Sequence, residues 1–376
     1  MKPEDIKNLR IAIVGGGYGG LSAAIALHHL GADVNVYEQA RQIREVGAGI
    51  GLRPSSMDRF RQWGVFDAIA KVTSPSEYFE ILTATGEQIM VDSWPGMDDY
   101  EVKTHTHLVH RNDFIQALLG VLPEGMVHIG HKLETITDHG DRATLTFADG
   151  TSAEADLVIG ADGIKSTVRR LFSDQQPVYA GEHAYRVVVN ADDAHGLVTD
   201  DNLRMYLGRG TKVYVLPLRH RGQMSFDITA LNADSSWNPD RTKDDLLATV
   251  EGFDERIVNL SHDLDMDTVN IRAVYDIDPV EVWHSDSVVL LGDSAHAMCH
   301  HQGQGANSAI LDAGALADAL LAADTVAEAL TQYQTARKPL TDELQRISRQ
   351  GWSEDEVSAV FPGQKTAAGQ PGTVQA

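Results

Sequence analysis

Cysteine is nearly absent from this sequence, since Cys299 is its single example. One thiol excludes an internal disulfide framework and is typical of a protein from a reducing compartment. Positive charge is also scarce, because 31 Lys and Arg residues oppose 54 Asp and Glu residues and the formal net charge is -23. With no basic patch to offset this charge, nucleic acid and anionic membrane surfaces are poor partners.

Long hydrophobic runs are missing as well. No stretch reaches the ~18 apolar residues that a membrane-spanning helix requires, and the N-terminal segment MKPEDIKNLRIAIVGGG lacks the pattern of a signal peptide. We therefore expect a cytoplasmic protein with no integral membrane segment. The 376 residues, 43% of them hydrophobic, are enough for two domains with substantial cores.

The first forty residues read as strand, glycine turn, helix and strand. Residues 11–14 form a short apolar run that is typical of a buried parallel strand. Gly15, Gly17 and Gly20 then match G-x-G-x-x-G, in which the glycines permit a tight turn, admit a phosphate and let the helix pack closely. Glu38 ends the second strand, where an acid can bond a ribose hydroxyl. The segment predicts a dinucleotide-binding unit, and by itself it does not distinguish FAD from NAD.

Two acidic motifs follow buried strands later in the chain. In DLVIGADGIKSTVRRLF the strand precedes Asp162 and Gly163, and in SVVLLGDSAHAM it precedes Gly292 and Asp293. With GGGYGG, EVGAGIGLRPSS and HLVHRNDF, and in this order, these motifs resemble the single-component FAD-dependent aromatic monooxygenases of the para-hydroxybenzoate hydroxylase class. Within that class the chain is most similar to the salicylate, 3-hydroxybenzoate and 6-hydroxynicotinate hydroxylases.

The resemblance implies an α/β fold of the glutathione-reductase-like flavoprotein type. It has a Rossmann-like FAD-binding domain, an interleaved antiparallel-sheet substrate domain and C-terminal helices. We expect the FAD-binding domain at residues 1–75, 98–175 and 272–350, and the substrate domain at residues 76–97 and 176–271. The C-terminal helix should break near Pro339, residues 363–376 should form a flexible tail, and no thioredoxin-like domain is expected.

The same resemblance implies a set of residues that bind FAD: Arg111, Asp162, Asp293, Gly303, Gln304 and Gly305. Each has a simpler reading, because Asp293 could cap a helix, Asp162 could hold a turn, and Arg111 could lie on the surface. Arg41 and Arg44 are equally compatible with cofactor contact and with solvent exposure.

Residues 176–270 alternate in polarity and predict strands with one buried face. In the family, substrate lies between this sheet and the flavin, which makes Arg186, Tyr206 and Tyr214 candidates for substrate contact and Lys212 a further anion partner. For each of these residues, an ordinary structural position in the sheet is the alternative.

The stretch GDSAHAMCHHQGQG departs from the family pattern. His300 stands where relatives carry proline, and His301 follows it; we predict that one of them binds or deprotonates the substrate, the alternative being that both only line the loop. A zinc site of His296, Cys299 and His300 is a second interpretation, although the following glycine loop argues against the helix it needs. A nucleophilic Cys299 is a third, and it lacks an assigned base.

The resemblance also implies the reaction. NAD(P)H reduces FAD, the reduced flavin and O2 form a C4a-hydroperoxide, and a small aromatic or N-heteroaromatic substrate is hydroxylated. A flavin monooxygenase for a larger quinolone or tetracycline-like substrate is one alternative, and a flavoprotein oxidase, reductase or flavin-binding module is another. No metal is expected. The sequence has no second glycine motif for NAD(P)H, so it does not distinguish NADH from NADPH. The chain is expected to be a monomer or homodimer.

Overall fold

The computed structural model describes residues 1–43, 47–92 and 105–350. Within these ranges the strands are β1 (Arg10–Val14), β2 (Asp33–Glu38), β3 (Gly49–Leu52), β4 (Thr73–Ser76), β5 (Phe79–Thr83), β6 (Gln88–Asp92), β7 (Thr106–His110), β8 (Val127–Ile129), β9 (Leu133–Asp138), β10 (Ala143–Phe147), β11 (Ser152–Ala155), β12 (Leu157–Gly160), β13 (Val178–Asn190), β14 (Leu203–Gly208), β15 (Thr211–Leu218), β16 (Gln223–Leu231), β17 (Asn270–Asp276) and β18 (Val288–Leu290).

The α-helices are α1 (Pro3–Lys7), α2 (Tyr18–His29), α3 (Pro54–Gln62), α4 (Phe66–Ala70), α5 (Arg111–Gly120), α6 (Lys243–Thr249), α7 (Glu255–Asp263), α8 (Asp293–His296), α9 (Gly305–Ala322) and α10 (Val326–Gln350). Short 3-10 helices cover Val168–Leu171, Ala191–Asp193, Arg219–Arg221, Met266–Thr268 and His300–Gln302. Arg44 and the predicted tail at residues 363–376 lie outside the described residues.

A five-stranded parallel sheet, in the order β18-β12-β1-β2-β8, forms the first unit. The ends of three neighbouring strands are aligned, because Val14 pairs with Gly160 and Gly160 with Leu290. The loops that leave these strands therefore emerge side by side at the carboxyl edge, where open parallel sheets bind ligands. The three motifs, far apart in sequence, meet there.

The second unit is a seven-stranded sheet in the order β17-β13-β16-β15-β14-β5-β6. Its pairs are antiparallel except β5 with β14, so the predicted antiparallel sheet is mixed at this point. A hairpin forces antiparallel pairing, whereas β5 comes from a distant earlier segment and is not so constrained. The last strand, β17, continues past residue 271 to Asp276.

Helices cover both units. The long helix α9 packs against α2 and α10, and α6 packs with α7. The second sheet has a separate core on one face, where Phe226, Val213 and Tyr206 contact Leu246 of α6 and Ile257 of α7 within one cluster of buried side chains. This face is filled by protein, which leaves the other face for the site.

The predicted break at Pro339 is wrong, because α10 runs unbroken through this residue. Proline cannot donate a backbone hydrogen bond to the carbonyl of Thr335, one turn earlier. Pro339 and Thr335 are both exposed, so water can reach that turn and the missing bond does not end the helix. Among the described helices, none combines the length and the apolar character that crossing a membrane would require.

Candidate active site

The glycine turn after β1 is shaped by close backbone contacts. Gly15 has φ +108°, and a Cβ there would lie 2.3 Å from the carbonyl oxygen of Ala161. A Cβ on Gly20 would lie 1.9 Å from the carbonyl oxygen of Gly15, so this glycine lets α2 approach the turn. A Cβ on Gly17 would have no heavy atom within 4 Å. Gly15 and Gly20 therefore serve the fold, while Gly17 leaves space that opens onto a cavity.

Glu38 lies beside this turn at the end of β2. Its carboxylate oxygens accept hydrogen bonds from the backbone N–H groups of Gly16 and Ala40, each at 2.7 Å. The carboxylate is therefore held at the carboxyl edge of the sheet, and its hydrogen bond to a ribose hydroxyl stays a prediction. Arg41, one of the two arginines considered for cofactor contact, is exposed.

The cavity has a volume of about 470 Å³ and lies between the motif loops and the seven-stranded sheet. The predicted residues that line it are Gly17, Arg111, Arg186, Tyr214, Asp293, His300, His301, Gly303 and Gly305. The structure thus brings these cofactor and substrate candidates to one place, whereas the lining does not include Gly15, Gly20, Glu38, Asp162, Gln304, Tyr206 or Lys212.

Asp162 and Asp293 come from neighbouring loops and have different surroundings. One oxygen of Asp162 accepts from the Ser166 hydroxyl, and the other accepts from the N–H groups of Thr167 at 2.6 Å and Val168 at 3.2 Å. Asp162 therefore holds its own loop, and its neighbour Gly163 lines the cavity. Asp293 lines the cavity itself, and desolvation raises the pKa of its carboxyl.

The loop of Gly303, Gln304 and Gly305 leads into α9. Gly303 has φ +61° and open space where a Cβ would lie, and Gly305 begins the helix. Asn307 stabilises the loop, because its side-chain nitrogen donates hydrogen bonds to the carbonyl of Gly303 at 3.1 Å and to that of Gly51 at 2.9 Å. The backbone N–H groups of this loop and the first turn of the 18-residue helix favour negative charge.

Two arginines flank these loops. With the Gln304 amide oriented so that its oxygen faces Arg53, that oxygen accepts from the guanidinium at 2.8 and 3.1 Å. Burial lowers the pKa of Arg53 to about 10. Arg111 starts α5 and donates from Nε to the Tyr18 hydroxyl at 2.9 Å. Both arginines line the cavity, so Arg111 is not a surface residue.

A row of polar side chains crosses the seven-stranded sheet at the cavity. Asp227 of β16 pairs with Arg186 of β13 on one side and with Tyr214 of β15 on the other. Paired residues in a sheet project from the same face, and all three line the cavity. The arrangement places a cation, a carboxyl and a phenol hydroxyl next to one another.

Desolvation raises the pKa of Asp227 to about 6, and Arg186, a hydrogen bond from Ser225 and Arg111 act in the opposite direction. The Ser225 hydroxyl donates to Oδ1 of Asp227 at 2.9 Å and accepts from the N–H of Gly49 at 2.7 Å. Burial also raises the pKa of Tyr214. The Tyr214 hydroxyl is buried and has no hydrogen-bond partner among the described residues.

The prediction that Tyr206 contacts substrate is wrong. Tyr206 pairs with Val213, whereas Tyr214 pairs with Met205, so the two tyrosines project from opposite faces of the sheet. Tyr206 is 1% exposed and lies in the core that faces α6 and α7. It is an ordinary packed residue of the substrate sheet.

The two adjacent histidines join the loop to the sheet. Nε2 of His300 lies 2.7 Å from the Thr229 hydroxyl, and desolvation, reinforced by neighbouring cations, holds the pKa of this imidazole well below its usual value. Nε2 of His301 lies 2.8 Å from a carboxylate oxygen of Glu182, and its Nδ1 lies 3.3 Å from Nζ of Lys212. Lys212 is therefore next to His301, and its interaction with a substrate anion stays a prediction.

The zinc interpretation does not agree with the geometry of the described residues. His296 contacts Asp312 at 2.6 Å, Cys299 packs against Ala184 and Val274, and His300 contacts Thr229, so the three side chains do not converge. Within the described ranges, no group of three or more metal-ligating side chains is present. Burial raises the pKa of Cys299 to about 12, which disfavours a thiolate nucleophile.

Sequence reasoning missed Asp227, Glu182 and Thr229. Asp227 and Thr229 lie in GQMSFDITA, where polar residues 225, 227 and 229 alternate with apolar ones. That period of two indicates a strand with one polar face, and a carboxyl on such a face was a usable signal. Nothing in the sequence around Glu182 indicates its contact with His301, because the two residues are 119 positions apart.

The chain matches the family model described as an FAD binding domain over residues 8–348. The chain belongs to this family. A 3-amino-4-hydroxybenzoate 2-monooxygenase of Streptomyces platensis is 32% identical over 346 residues, which cover 91% of this chain and 87% of the relative. The 6-hydroxynicotinate 3-monooxygenase of Pseudomonas fluorescens is 32% identical over 367 residues, which cover 90% of each chain.

The crystal structure of Klebsiella pneumoniae HpxO with FAD and uric acid has a TM-score of 0.84 and 26% identity, and the match covers 93% of this chain and 91% of that one. These matches confirm the fold, the resemblance to FAD-dependent aromatic monooxygenases and FAD as the cofactor. The residues present fit FAD, because Gly17, Gly163 and Gly303 border the cavity where a Cβ would meet no other atom.

Proposed function

We propose that the protein is a monooxygenase that uses FAD, NAD(P)H and O2 to hydroxylate a small aromatic or N-heteroaromatic acid. The observation that carries the proposal is the row of Arg186, Asp227 and Tyr214 on the sheet face that shares a cavity with the glycine loops. Polar side chains that face the loops expected to bind the cofactor are the arrangement expected of an enzyme that orients a substrate against its cofactor.

Gly17, Arg111, Asp293, Gly303 and Gly305 are the cavity residues that would hold FAD. When bound and reduced, FAD would activate O2 for transfer of one oxygen atom to the substrate. The backbone N–H groups at the start of α9 favour negative charge on a bound group, and this stabilisation needs no reorganisation because Asn307 already fixes the loop.

The sheet side of the cavity would hold and orient the substrate. Arg186 provides a cation for a carboxylate, because a guanidinium matches carboxylate geometry. The apolar side chains of Phe79, Leu203, Leu216 and Met298 complete the wall. They would pack on an aromatic ring and exclude water from the reacting atoms.

The names of the relatives support this substrate class. One is named for an aminohydroxybenzoate and another for a hydroxynicotinate, and both substrates are aromatic acids that also carry a hydroxyl group. Both of these named substrates have a single ring, which favours a small substrate over a tetracycline-like one.

The proposal is tested with purified FAD-loaded protein and a panel of hydroxybenzoates, aminohydroxybenzoates and hydroxypyridinecarboxylates. We expect at least one compound to stimulate NADH or NADPH oxidation, with equal oxygen uptake and one hydroxyl added to the product by mass spectrometry. Stoichiometric peroxide without hydroxylated product would indicate an oxidase, and no stimulation by any compound would contradict the proposal.

A further inference from the structure

Asp227 is a carboxyl group in the wall of the active-site cavity that the family motifs do not identify. It projects from the middle of the sheet, between the cation of Arg186 and the phenol of Tyr214. The motif loops contribute a different acid, Asp293, from the end of the parallel sheet.

We infer that Asp227 is the base that takes a proton from the substrate, and that the enzyme therefore selects aromatic acids that also carry a hydroxyl or ring N–H donor. This inference rests on the proposed monooxygenase function and names a substrate feature and a catalytic residue within it. The donor group would lie against Asp227 while the acid group faces Arg186.

Hydrogen bonding leaves capacity at Asp227 for a ligand. Ser225 occupies Oδ1, and among the described residues Oδ2 accepts no hydrogen bond. The adjacent Tyr214 hydroxyl is buried and also lacks a partner within the described ranges. Buried polar groups normally find partners, so the unpartnered Tyr214 hydroxyl, beside a carboxylate oxygen of Asp227 that can still accept a hydrogen bond, indicates a polar ligand. A substrate hydroxyl could donate to Asp227 and accept from Tyr214.

The position of Asp227 is fixed from the cofactor side. The N–H of Gly49 in β3 donates to the Ser225 hydroxyl, which in turn donates to Asp227. A Cβ on Gly49 would lie 3.0 Å from Cβ of Ser225, so the two units are in close contact here. The chain of bonds holds the carboxyl in one orientation, which a general base requires.

The charges around Asp227 suit a base near neutral pH. Desolvation raises the pKa of Asp227, while Arg186 of β13, the hydrogen bond from Ser225 and Arg111 of α5 lower it, and the result is a pKa of about 6. Tyr214 of β15 is the other titratable group beside it. A base with a pKa close to the working pH is the most effective.

The other titratable groups on this side have protein partners. His300 contacts Thr229 and has a strongly lowered pKa, so it is neutral at working pH. His301 lies between Glu182 and Lys212. Of these groups, Asp227 has the surroundings that fit proton transfer from a substrate best.

The step is a proton transfer. The substrate O–H or N–H bond breaks, an O–H bond forms on Asp227, and the electron pair stays on the substrate as a phenolate or its aza equivalent. No group changes oxidation state in this step. The electron-rich ring would then be the better acceptor of an activated oxygen atom that derives from O2, and Asp227 would return its proton to solvent or product.

The test compares wild type, Asp227→Asn, Tyr214→Phe and Asp240→Asn. Asp240 is exposed and undergoes the same chemical change outside the cavity. Substrates are 6-hydroxynicotinate, 3-hydroxybenzoate and salicylate, each paired with its methyl ether, which keeps the acid and removes the donor. For each pair we measure kcat/KM from hydroxylated product over pH 5 to 9, together with FAD content and circular dichroism.

We expect wild type to prefer the free hydroxyl compound by about 100-fold or more, and its kcat/KM to rise through a pKa near 6. Asp227→Asn should lose about 100-fold in kcat/KM and the rise near pH 6, while Asp240→Asn matches wild type. Tyr214→Phe should lower kcat/KM and keep the rise, and it tests the donor site even if Asp227→Asn loses FAD.

An Asp227→Asn enzyme with wild-type kcat/KM and pH dependence would overturn the inference and leave the monooxygenase function intact. Equal turnover of a hydroxyl compound and its methyl ether by wild type would do the same. If wild type hydroxylates no compound of the panel, the proposed function itself fails, and this inference fails with it.

Discussion

At the scale of single residues, His300 and Asp227 face the same cavity with different surroundings. Burial, reinforced by neighbouring cations, lowers the pKa of the His300 imidazole, which stays neutral beside the Thr229 hydroxyl. Asp227 has a neighbouring cation as well, yet burial dominates and raises the pKa of its carboxyl. The two groups therefore titrate on opposite sides of their usual values, and this difference separates their roles.

We expect His300→Ala to lower kcat/KM by about 10-fold, since it removes the contact with Thr229 that joins the loop to the sheet. The shape of the pH profile above pH 6 should not change, because the imidazole is already neutral there. Steady-state kinetics from pH 5 to 9 provide the measurement, with Thr229→Val as the control that removes only the hydroxyl. If His300→Ala abolishes the rise near pH 6, then His300 is the base and not Asp227.

Asp227→Asn should be more stable than wild type at pH 8. The folded-state pKa of Asp227 is raised to about 6, above the unfolded value of about 4. The protonated carboxyl therefore stabilises the fold fully below the unfolded pKa, and this stabilisation is lost as the pH rises through about 6. Asparagine removes this loss, which amounts to roughly 1–3 kcal/mol at pH 8. Thermal melts at pH 4.5 and pH 8 should show the difference only at pH 8, and Asp240→Asn should show none at either.

At the scale of elements, the glycines in the turn between β1 and α2 have different roles, because one serves the fold and another borders the cavity. Gly20 is in contact with the carbonyl of Gly15, while Gly17 faces the cavity. The same glycine pattern therefore contains one position that the fold requires and one that a ligand requires.

Gly17→Ala should fold normally and bind FAD at least about 10-fold more weakly, because its Cβ would enter the space that opens onto the cavity. Gly20→Ala should instead lower the free energy of unfolding by about 1–3 kcal/mol, since its Cβ would overlap the turn. Thermal melts of the apoproteins and flavin fluorescence titrations distinguish the two effects. Tight FAD binding by Gly17→Ala would show that this glycine does not border the cofactor.

At the scale of the whole molecule, a buried charge cluster ties the last motif to the C-terminal helices. Asp312 of α9 contacts His296 of α8 at 2.6 Å and Arg337 of α10 at 2.7 Å, and it accepts from the N–H of Gly292 at 3.1 Å. The loop that carries Asp293 into the cavity is therefore held by helices that belong to the far end of the chain.

Asp312→Asn should lower the free energy of unfolding by about 3–5 kcal/mol, because it leaves the buried Arg337 without its carboxylate. Burial tends to raise the pKa of Asp312, but His296 and Arg337 together outweigh it and lower the pKa. The stabilisation is therefore present above the unfolded pKa and is lost as the pH falls through the folded one. Denaturant unfolding at pH 7 gives the measurement. Glu343→Gln breaks an exposed pair on α10 and should leave the free energy of unfolding nearly unchanged; equal effects of the two substitutions would contradict a structural role for the cluster.

The sequence alone determined the features that depend on near neighbours in the chain. The strands that flank the glycine turn, the turn itself and the loop of Gly303 and Gly305 are local patterns, and their meeting follows from the parallel order of the sheet. The family resemblance extended this to the cofactor and the reaction class. Pro339 shows the limit of a local rule, because an exposed turn tolerated the lost hydrogen bond.

Only the tertiary structure decided which side chains share the substrate wall. Tyr206 and Tyr214 look equivalent in sequence, and the register of β14 with β15 sends one into the core and the other into the cavity. Asp227 becomes a candidate base because β13 and β15 place Arg186 and Tyr214 on either side of it. A shift of one residue in register reverses every face, and that register depends on packing across the whole sheet, which no local stretch of sequence contains.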